Sequence, residues 1–340
     1  MLVRHECPAC SGAQVECLYA RPYGDPVLRE VLQAFYGEAL RRDYEVLRGA
    51  EFTLLECRDC GLVFQQQVPN RALLARLYEE WIDPRAALAC HHATARLRDQ
   101  LDVARDAFIS LSRARSEERP RRTLDYGCGW GEWASMAQAF GTESWGTELS
   151  ATRQGYCAAR GIRIVDEAEL PDGAFDVINL NQVFEHLPEP RETLVRLTRT
   201  LRAGGVIRIA VPQGRSIKRH LRRFEEEVRR PQGGRLYAVA PLQHLSCFTT
   251  ESLVALAARC GLRRSVPPWG VLLESIHLPP GWKGRLKALV RPVYLRSGVS
   301  TDLLFTPEAR GHPAAVARWE GSHQPDPASS PASAGVNTSR

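Results

Sequence analysis

Short apolar runs alternate with helical stretches along the chain from Arg122 onward. Strand-like runs are predicted at Arg122–Tyr126, Glu143–Thr147, Arg163–Val165, Phe175–Leu180 and Val206–Val211, and again near Arg263–Val266 and Val271–Ile276. Apolar residues recur at helical spacing over 131–140, 150–160, 190–201 and Thr250–Cys260. Strands that alternate with helices predict a parallel sheet covered by helices on both faces. We therefore predict an α/β fold with a doubly wound, mostly parallel sheet over residues 122–276.

The residues before this region follow other patterns. Apolar positions recur at helical spacing over Val27–Leu40, and the runs Phe52–Leu55 and Leu62–Phe64 are typical of strands. Residues 70–111 are predicted to be helical, and the charged stretch 112–122 is predicted to be a solvated linker. These patterns predict a small module over 1–68, followed by a helical connector and linker over 69–121.

The region after the fifth strand departs from the alternation. An arginine-rich excursion over 213–248 is predicted to be helical and to cover the strand ends as a lid. A basic helix is predicted over 277–305. Pro, Ala, Ser and Gly dominate 306–340, so we expect a disordered tail there.

Charge and composition exclude some classes of protein. The 340 residues carry a formal net charge of +6, modest for this length, and only three lysines, with the arginines spread along the chain. Nucleic acid is therefore not the expected partner. No run approaches the ~18 apolar residues of a membrane span, and the N-terminus lacks the apolar core of a secretion signal. We expect a cytoplasmic protein without a membrane partner, and nothing indicates its oligomeric state.

Four of the ten cysteines form two Cys-x-x-Cys pairs, Cys7 with Cys10 and Cys57 with Cys60. Two such pairs supply the four thiolates that suit tetrahedral zinc. A site closed by four cysteines leaves no position for water, so the predicted zinc ion is structural. The module over 1–68 is accordingly predicted to be a zinc-binding module with an inserted helix.

A glycine-rich turn follows the first strand of the alternating region. Its sequence, DYGCGWG, places Asp125 before glycines at 127, 129 and 131 and leads directly into a helix. Glycines let the backbone turn tightly and approach a ligand closely. The pyrophosphate-binding fingerprint has a different spacing, G-x-G-x-x-G. Glu148 ends the second strand, where a carboxylate can accept hydrogen bonds from ribose hydroxyls, and Asp166 follows the third.

The glycine spacing, the segment FDVINLNQVFEHLPEP (175–190) and the turn LRAGG (201–205) together resemble class I S-adenosylmethionine-dependent methyltransferases of the small-molecule group. The resemblance implies a seven-stranded Rossmann-like sheet and S-adenosyl-L-methionine as cofactor. It also implies a set of residues around that cofactor: Asp125, Tyr126, Gly127, Gly129, Trp133, Glu148, Leu149, Asp166 and Asn181. The N-terminal module resembles the zinc-binding region of certain deoxysugar methyltransferases, which implies that the helix from Pro69 to Trp81 packs toward the cofactor.

Two histidines are candidates for the general base. His186 follows the fourth strand beside Glu185, and His244 lies in QHLSCFT, which resembles a motif of the same group. Histidine titrates near neutrality and suits proton removal from an acceptor. The alternative is that Glu185 and His186 brace the loop after the strand. Glu185, His186 and His244 are therefore our catalytic candidates for O- or N-methylation of a small molecule.

Three questions stay open from the sequence alone. Five cations of the excursion could bind an anionic acceptor, or they could belong to a solvated helix that pairs with Glu225–Glu227: Arg215, Lys218, Arg219, Arg222 and Arg223. A ribosomal- or transfer-RNA methyltransferase is the alternative enzyme, because some of these also carry a zinc module. A cofactor-binding scaffold without activity is a third interpretation.

Overall fold

The computed structural model describes residues 1–82, 97–115, 120–279 and 281–308. The strands are β1 (Leu2–Val3), β2 (Val15–Pro22), β3 (Glu51–Cys57), β4 (Val63–Gln65), β5 (Gln67–Val68), β6 (Arg122–Tyr126), β7 (Glu143–Thr147), β8 (Arg163–Ile164), β9 (Phe175–Asn181), β10 (Leu201–Ala210), β11 (Ser246–Cys247), β12 (Leu262–Ser265) and β13 (Asp302–Pro307). The helices are α1 (Pro26–Asp43), α2 (Arg71–Arg76), α3 (Leu97–Arg113), α4 (Glu132–Ala139), α5 (Ala151–Ala158), α6 (Pro190–Thr200), α7 (Ile217–Leu221), α8 (Phe224–Val228), α9 (Thr250–Arg259), α10 (Trp269–Glu274) and α11 (Trp282–Arg296).

Seven strands form the central sheet in the order β12-β13-β10-β9-β6-β7-β8. Strands β6 to β10 are parallel, and β13 runs antiparallel between β10 and β12. β9 is buried over six consecutive residues, as expected of a strand covered on both faces. The sequence-based prediction of a mostly parallel, seven-stranded α/β sheet is confirmed.

The helices on this sheet begin at recognisable caps. α5 starts after Ser150, whose Oγ accepts from the Arg153 N–H, and α6 starts at Pro190, whose ring favours the first helical position. α9 begins with a capping box between Thr249 and Ser252. Because β6, β7 and β9 are parallel, the turns that lead out of them meet at one edge of the sheet.

A second sheet of four strands, in the order β11-β4-β3-β2, contains most of the N-terminal strands. All its pairs are antiparallel. Its edge strand β11 is far along the chain, after the arginine-rich excursion. A late segment of the sequence thus completes the sheet of the N-terminal module.

The excursion packs on the N-terminal module rather than standing apart. Phe224 of α8 stacks on Tyr19 at 4.5 Å between ring centroids. Both α7 and α8 contribute to one apolar cluster with Leu28 and Phe52. A separate cluster joins Cys57 and other module residues to the central sheet. Met1–Glu308 therefore form one compact unit, and the domain boundaries drawn within it stay predictions.

One predicted strand at the C-terminal end is wrong, and a predicted helix there is shorter than expected. The run Val271–Ile276, predicted as a strand, belongs to the short helix α10 over most of its length, because a short apolar run has no periodicity that separates helix from strand. The basic helix predicted over 277–305 is confined to Trp282–Arg296. β13 follows it and overlaps the predicted start of the tail, because pairing with β10 and β12 buries its apolar residues.

Parts of three predicted segments lie outside the described residues: the rest of the tail from residue 309, the middle of the charged linker at 116–119, and residues 83–96 of the helical connector. Among the residues that the structure describes, no helix is both long enough and apolar enough to span a membrane.

Candidate functional site

The glycine-rich turn after β6 uses each of its glycines differently. All three have positive φ, a conformation that other residues rarely adopt. A Cβ on Gly127 would lie 2.8 Å from the Val183 side chain, and one on Gly131 would lie 2.6 Å from Ile162. A Cβ on Gly129 would have no atom within 4 Å. Gly127 and Gly131 are therefore needed for packing, whereas Gly129 faces open space in which a ligand can approach the backbone.

Glu148 connects the turn to the end of β7. Its Oε2 accepts a hydrogen bond from the Gly129 N–H at 2.9 Å. Its Oε1 accepts from the N–H groups of Leu149 and Ser150, both at 3.0 Å. These bonds fix the carboxylate beside the open face of the turn, the position predicted for a ribose-binding acid.

Asp125 lies beneath the turn. Its side chain is buried and its Oδ1 accepts from Asn179 Nδ2 at 2.7 Å. Asn179 Oδ1 in turn accepts from Arg208, which also pairs with Asp302. Burial raises the pKa of Asp125 to about 7, although the Asn179 bond opposes the shift. Asp125 thus supports the turn from the sheet side.

The other predicted cofactor residues occupy two environments. Leu149 (67% exposed), Asp166 and Asn181 lie at the ends of strands, and Asp166 caps the following turn through the Ala168 N–H. Tyr126 is buried in the cluster that lines the sheet, and Trp133 is buried in the cluster that includes α3. The role of each toward the cofactor stays a prediction.

The three catalytic candidates come together after β9. Glu185, His186 and His244 each offer a ligand atom within 4.8 Å of the others, and the two imidazole rings meet edge to face at 4.7 Å. Glu185 and His244 are buried, at 1% and 2% exposure. Neither carboxyl oxygen of Glu185 forms a hydrogen bond with a described residue, and the same holds for His244 Nδ1.

Burial shifts all three pKa values toward the neutral forms. It raises the pKa of Glu185 to about 8 and lowers the pKa of His244 to about 4. Burial, and then the neighbouring His244, lower the pKa of His186 to about 3. At pH 7 the cluster therefore contains a protonated carboxyl and two neutral imidazoles.

Two tyrosines next to the histidines were missed as site residues from the sequence. The Tyr78 hydroxyl lies 3.4 Å from His186 Nδ1, and the Tyr237 ring packs on His244 at 4.5 Å. Adjacent to Tyr78, Glu79 accepts from the Ala151 N–H at 3.0 Å. The π-helical turn Leu77–Trp81 thus contacts both His186 and the start of α5. The sequence signal for Tyr78 was its place in the helix from Pro69 to Trp81, which the resemblance implied would pack toward the cofactor.

The N-terminal segment also reaches the loop that carries the histidines. The Arg4 guanidinium donates to the carbonyl oxygens of Leu187 at 3.1 Å and Leu245 at 3.0 Å. Leu187 directly follows His186, and Leu245 directly follows His244. A single arginine side chain therefore holds the two histidine-bearing segments together.

The cations of the excursion have acidic neighbours. Arg215 pairs with Glu251 at 2.7 Å, and Lys218 pairs with Glu56 of the N-terminal module. Glu225 pairs with Arg21 at 3.1 Å. Arg219 is exposed. The partners of Arg215 and Lys218 are therefore acids of other elements and not Glu225–Glu227, which the solvated-helix alternative required. A role of these cations in anion binding stays a prediction.

The four cysteines of the N-terminal pairs converge. Their sulfur atoms all lie within 4.8 Å of one another, with Cys7 to Cys60 at 3.6 Å and Cys10 to Cys57 at 3.5 Å. Sulfurs bound to one tetrahedral zinc ion stand about 3.8 Å apart, from a Zn–S bond of ~2.3 Å. In each pair, the residue four positions after the first cysteine donates its N–H back to that cysteine's carbonyl. The donor set therefore fits zinc in type, number and spacing.

Comparisons with known proteins agree on one class. A family model described as a methyltransferase domain matches residues 91–264. The chain is 28% identical over 152 residues to ubiquinone biosynthesis O-methyltransferase of Methylococcus capsulatus, a match covering 42% of this chain and 60% of that protein. It is 24% identical over 222 residues to a probable chloroplastic tocopherol O-methyltransferase of Oryza sativa subsp. japonica, covering 56% of this chain and 60% of that protein. The chain thus spans 60% of the length of each of these relatives.

Among solved structures, the chain is similar to an amino pentose methyltransferase from Micromonospora echinaspora involved in calicheamicin biosynthesis, bound to S-adenosylmethionine. The identity is 23%, the match covers 37% of this chain and 56% of that one, and the TM-score is 0.32.

Proposed function

The chain belongs to the methyltransferase-domain family, and we propose that it transfers the methyl group of S-adenosyl-L-methionine to a small-molecule acceptor. S-adenosylmethionine supplies an electrophilic methyl group on a sulfonium. The acceptor would be an oxygen or nitrogen atom of a natural product, a sugar or a related metabolite, an anionic one included. The names of both curated relatives, each an O-methyltransferase, support oxygen.

One observation carries the proposal: Glu148 Oε2 lies 2.9 Å from the N–H of Gly129, the glycine that faces open space. A carboxylate fixed beside an exposed backbone turn is suited to the ribose of an adenosyl group. The exposed side chain of Leu149 offers an apolar surface for the adenine next to it. We propose that Gly127, Gly129, Glu148, Leu149, Asp166 and Asn181 surround the cofactor, with Asp125, Tyr126 and Trp133 supporting the turn.

We further propose His244 as the general base, with His186 as the alternative. The His244 side chain bonds to the Tyr237 carbonyl through one nitrogen, and its Nδ1 has no partner among the described residues. Nδ1 therefore carries a free lone pair that can accept a proton from a hydroxyl or amine. His186 already faces the Tyr78 hydroxyl. Protonated Glu185 would keep the cluster uncharged until the acceptor binds.

The cysteine cluster supports a structural zinc ion held by Cys7, Cys10, Cys57 and Cys60. Zinc would hold together the two loops that carry the cysteine pairs. We propose that residues 1–68 form this module and that 122–276 form the methyltransferase domain, with 213–248 contributing to the substrate side.

Calorimetry tests the cofactor assignment. S-adenosylmethionine should bind at one site per chain, and Gly129→Arg should abolish binding because the new side chain fills the open face of the turn. Gly141→Arg is the matched control, since Gly141 also has positive φ and a Cβ added there would have no atom within 4 Å. The proposal would be overturned if the protein bound NAD as tightly as S-adenosylmethionine. It would also be overturned if Gly129→Arg and Gly141→Arg lost S-adenosylmethionine binding to the same extent.

Turnover tests the base. Methyl transfer from labelled S-adenosylmethionine to an acceptor found in a metabolite extract should fall about 10²- to 10⁴-fold in kcat for His244→Asn. The affinity for S-adenosylmethionine should stay unchanged, because the cofactor is held by the turn and Glu148. Full turnover in both His244→Asn and His186→Asn would mean that neither histidine removes a proton.

A further inference from the structure

The helix α11 exposes a continuous apolar stripe. Of the twenty large apolar side chains that are exposed among the described residues, eleven lie between Val266 and Val299. Trp282 is 71% exposed, the most of any of them. The stripe consists of Trp282, Leu286, Leu289, Val290, Val293 and Tyr294. An exposed apolar patch of this extent marks a surface that meets another phase or molecule.

The spacing of the stripe follows the helical repeat. Positions 282, 286, 289 and 293 are separated by four, three and four residues, so their side chains share one face. Another face packs inward, where Pro292 is buried. The 15 residues of the helix span ~22 Å. The molecule therefore presents one side of a four-turn helix, lengthwise, to its surroundings.

Positive charge borders the stripe on both sides. At about 100° per residue, Lys287 falls on one side of the stripe and Arg285 on the other, and Lys283 lies in the first turn of the helix, in a direction between those of Val290 and Tyr294. All three residues lie in the described part of the chain, and none of them forms an ion pair with another described residue. No acidic residue occurs between Glu274 and Asp302. Two of the chain's three lysines are in this helix, although arginine dominates everywhere else.

We propose that α11 is an interfacial helix that docks the protein onto an anionic phospholipid bilayer, lying in the plane of the membrane with its stripe among the acyl chains. Apolar side chains bounded by cations, with tryptophan in the stripe, are the combination that favours the boundary between headgroups and acyl chains. Long lysine and arginine side chains can reach back to the phosphates from such a position. The absence of acids on the helix makes its charge complementary to anionic headgroups.

This inference revises the expectation of no membrane partner. That expectation rested on the lack of a membrane-spanning segment, and an interfacial helix needs none. The proposal does not depend on methyl transfer, because it concerns a surface that shares no residue with the cofactor turn or the histidine cluster.

Sedimentation of the full chain with vesicles tests the proposal. The protein should bind vesicles made of phosphatidylcholine and phosphatidylglycerol in a ratio of about 2:1 and stay in the supernatant with phosphatidylcholine alone. The variant Lys283→Gln/Arg285→Gln/Lys287→Gln should bind about a hundredfold more weakly, at about fivefold per charge. Its control carries the same loss of charge at exposed sites elsewhere: Arg41→Gln/Arg48→Gln/Arg199→Gln.

A second variant tests the stripe itself. Leu286→Ser/Leu289→Ser/Val293→Ser should lose more than about tenfold in vesicle affinity while keeping its thermal unfolding temperature, because all three side chains are already exposed. The control Phe35→Ser/Phe140→Ser/Val195→Ser removes exposed apolar side chains from other helices and their ends. Vesicle binding that survives both helix variants, or no binding by the unaltered protein, overturns the proposal. So does a dimer in sedimentation velocity that the stripe variant dissociates, because a second copy would then cover the stripe.

Discussion

The substitution Glu185→Gln should remove a specific pH dependence from the stability of the protein. Glu185 is 1% exposed, and neither of its carboxyl oxygens forms a hydrogen bond with a described residue, although His186 Nε2 lies 3.8 Å from Oε1. Burial raises its pKa to about 8. His186, His244, Tyr78 and Tyr237 face it, and none of them is cationic at neutral pH. Glutamine keeps the size and neutrality of the protonated acid but cannot ionise.

The pKa of Glu185 is higher in the folded protein than in the unfolded chain, so the protein becomes less stable as the pH rises. The folded protein holds the Glu185 proton to higher pH, so the resulting stability is full below about pH 4.5 and is lost as pH rises through about 8. The slope between these limits is about 1.4 kcal/mol per pH unit. From about pH 6.5 to about pH 8.5, the free energy of unfolding of the unaltered protein should therefore fall by about 2 kcal/mol. The Glu185→Gln variant should not show this decrease. The near-complete burial of the group means that solvent screening does not reduce this figure.

Urea unfolding followed by tryptophan fluorescence, at half-unit steps across that same pH range, measures the effect. The difference in unfolding free energy between the two proteins isolates Glu185, because every other group titrates in both. Glu251→Gln is the control: backbone hydrogen bonding at its helix start lowers the pKa of Glu251, so this exposed acid is ionised throughout the range. If the difference in unfolding free energy between the unaltered protein and Glu185→Gln stays constant across this pH range, then Glu185 is ionised in the folded protein. The proposal that the cluster is uncharged would then be wrong.

Three other properties of the site can be measured directly. Glu148→Ala should weaken S-adenosylmethionine binding in calorimetry by about 1.5–3 kcal/mol, the scale of a lost charged hydrogen bond; unchanged affinity would exclude Glu148 from the cofactor site. Purified protein should carry one zinc ion per chain by elemental analysis. Cys57→Ser should lower both the zinc content and the unfolding temperature, because Cys57 lies in the cluster that joins the module to the sheet. Iron–sulfur absorbance of the purified protein would contradict a zinc site. With His244 as base, kcat should stay level from about pH 8 down to about pH 5, because burial lowers the pKa of His244 to about 4; a decline centred on the ordinary histidine pKa of about 6.5 would contradict it.

The sequence was sufficient for the parts of the molecule that depend on local pattern. Strands β6 and β7 were predicted to the residue, because the glycine-rich turn follows β6 and the Ser150 cap follows β7, and such flanking signals decide between strand and helix where a short run alone does not. The glycine spacing at 127–131, the acid at the end of the next strand and the Cys-x-x-Cys pairs each carry their chemistry within a few residues. Such features can be recognised in the sequence before any tertiary contact is known.

Tertiary structure decided the features that depend on contacts between residues far apart in sequence. β13 is a strand because two neighbouring strands pair with it, whereas its residues were predicted as the end of the basic helix and the start of the tail. His186 and His244 are far apart in the chain, and only the fold brings their rings to 4.7 Å and adds Tyr78 beside them. The shifts in their pKa values come from burial, a property of the packed cluster. A residue's type and its neighbours in sequence set its local conformation, whereas desolvation and long-range pairing exist only once the chain has folded.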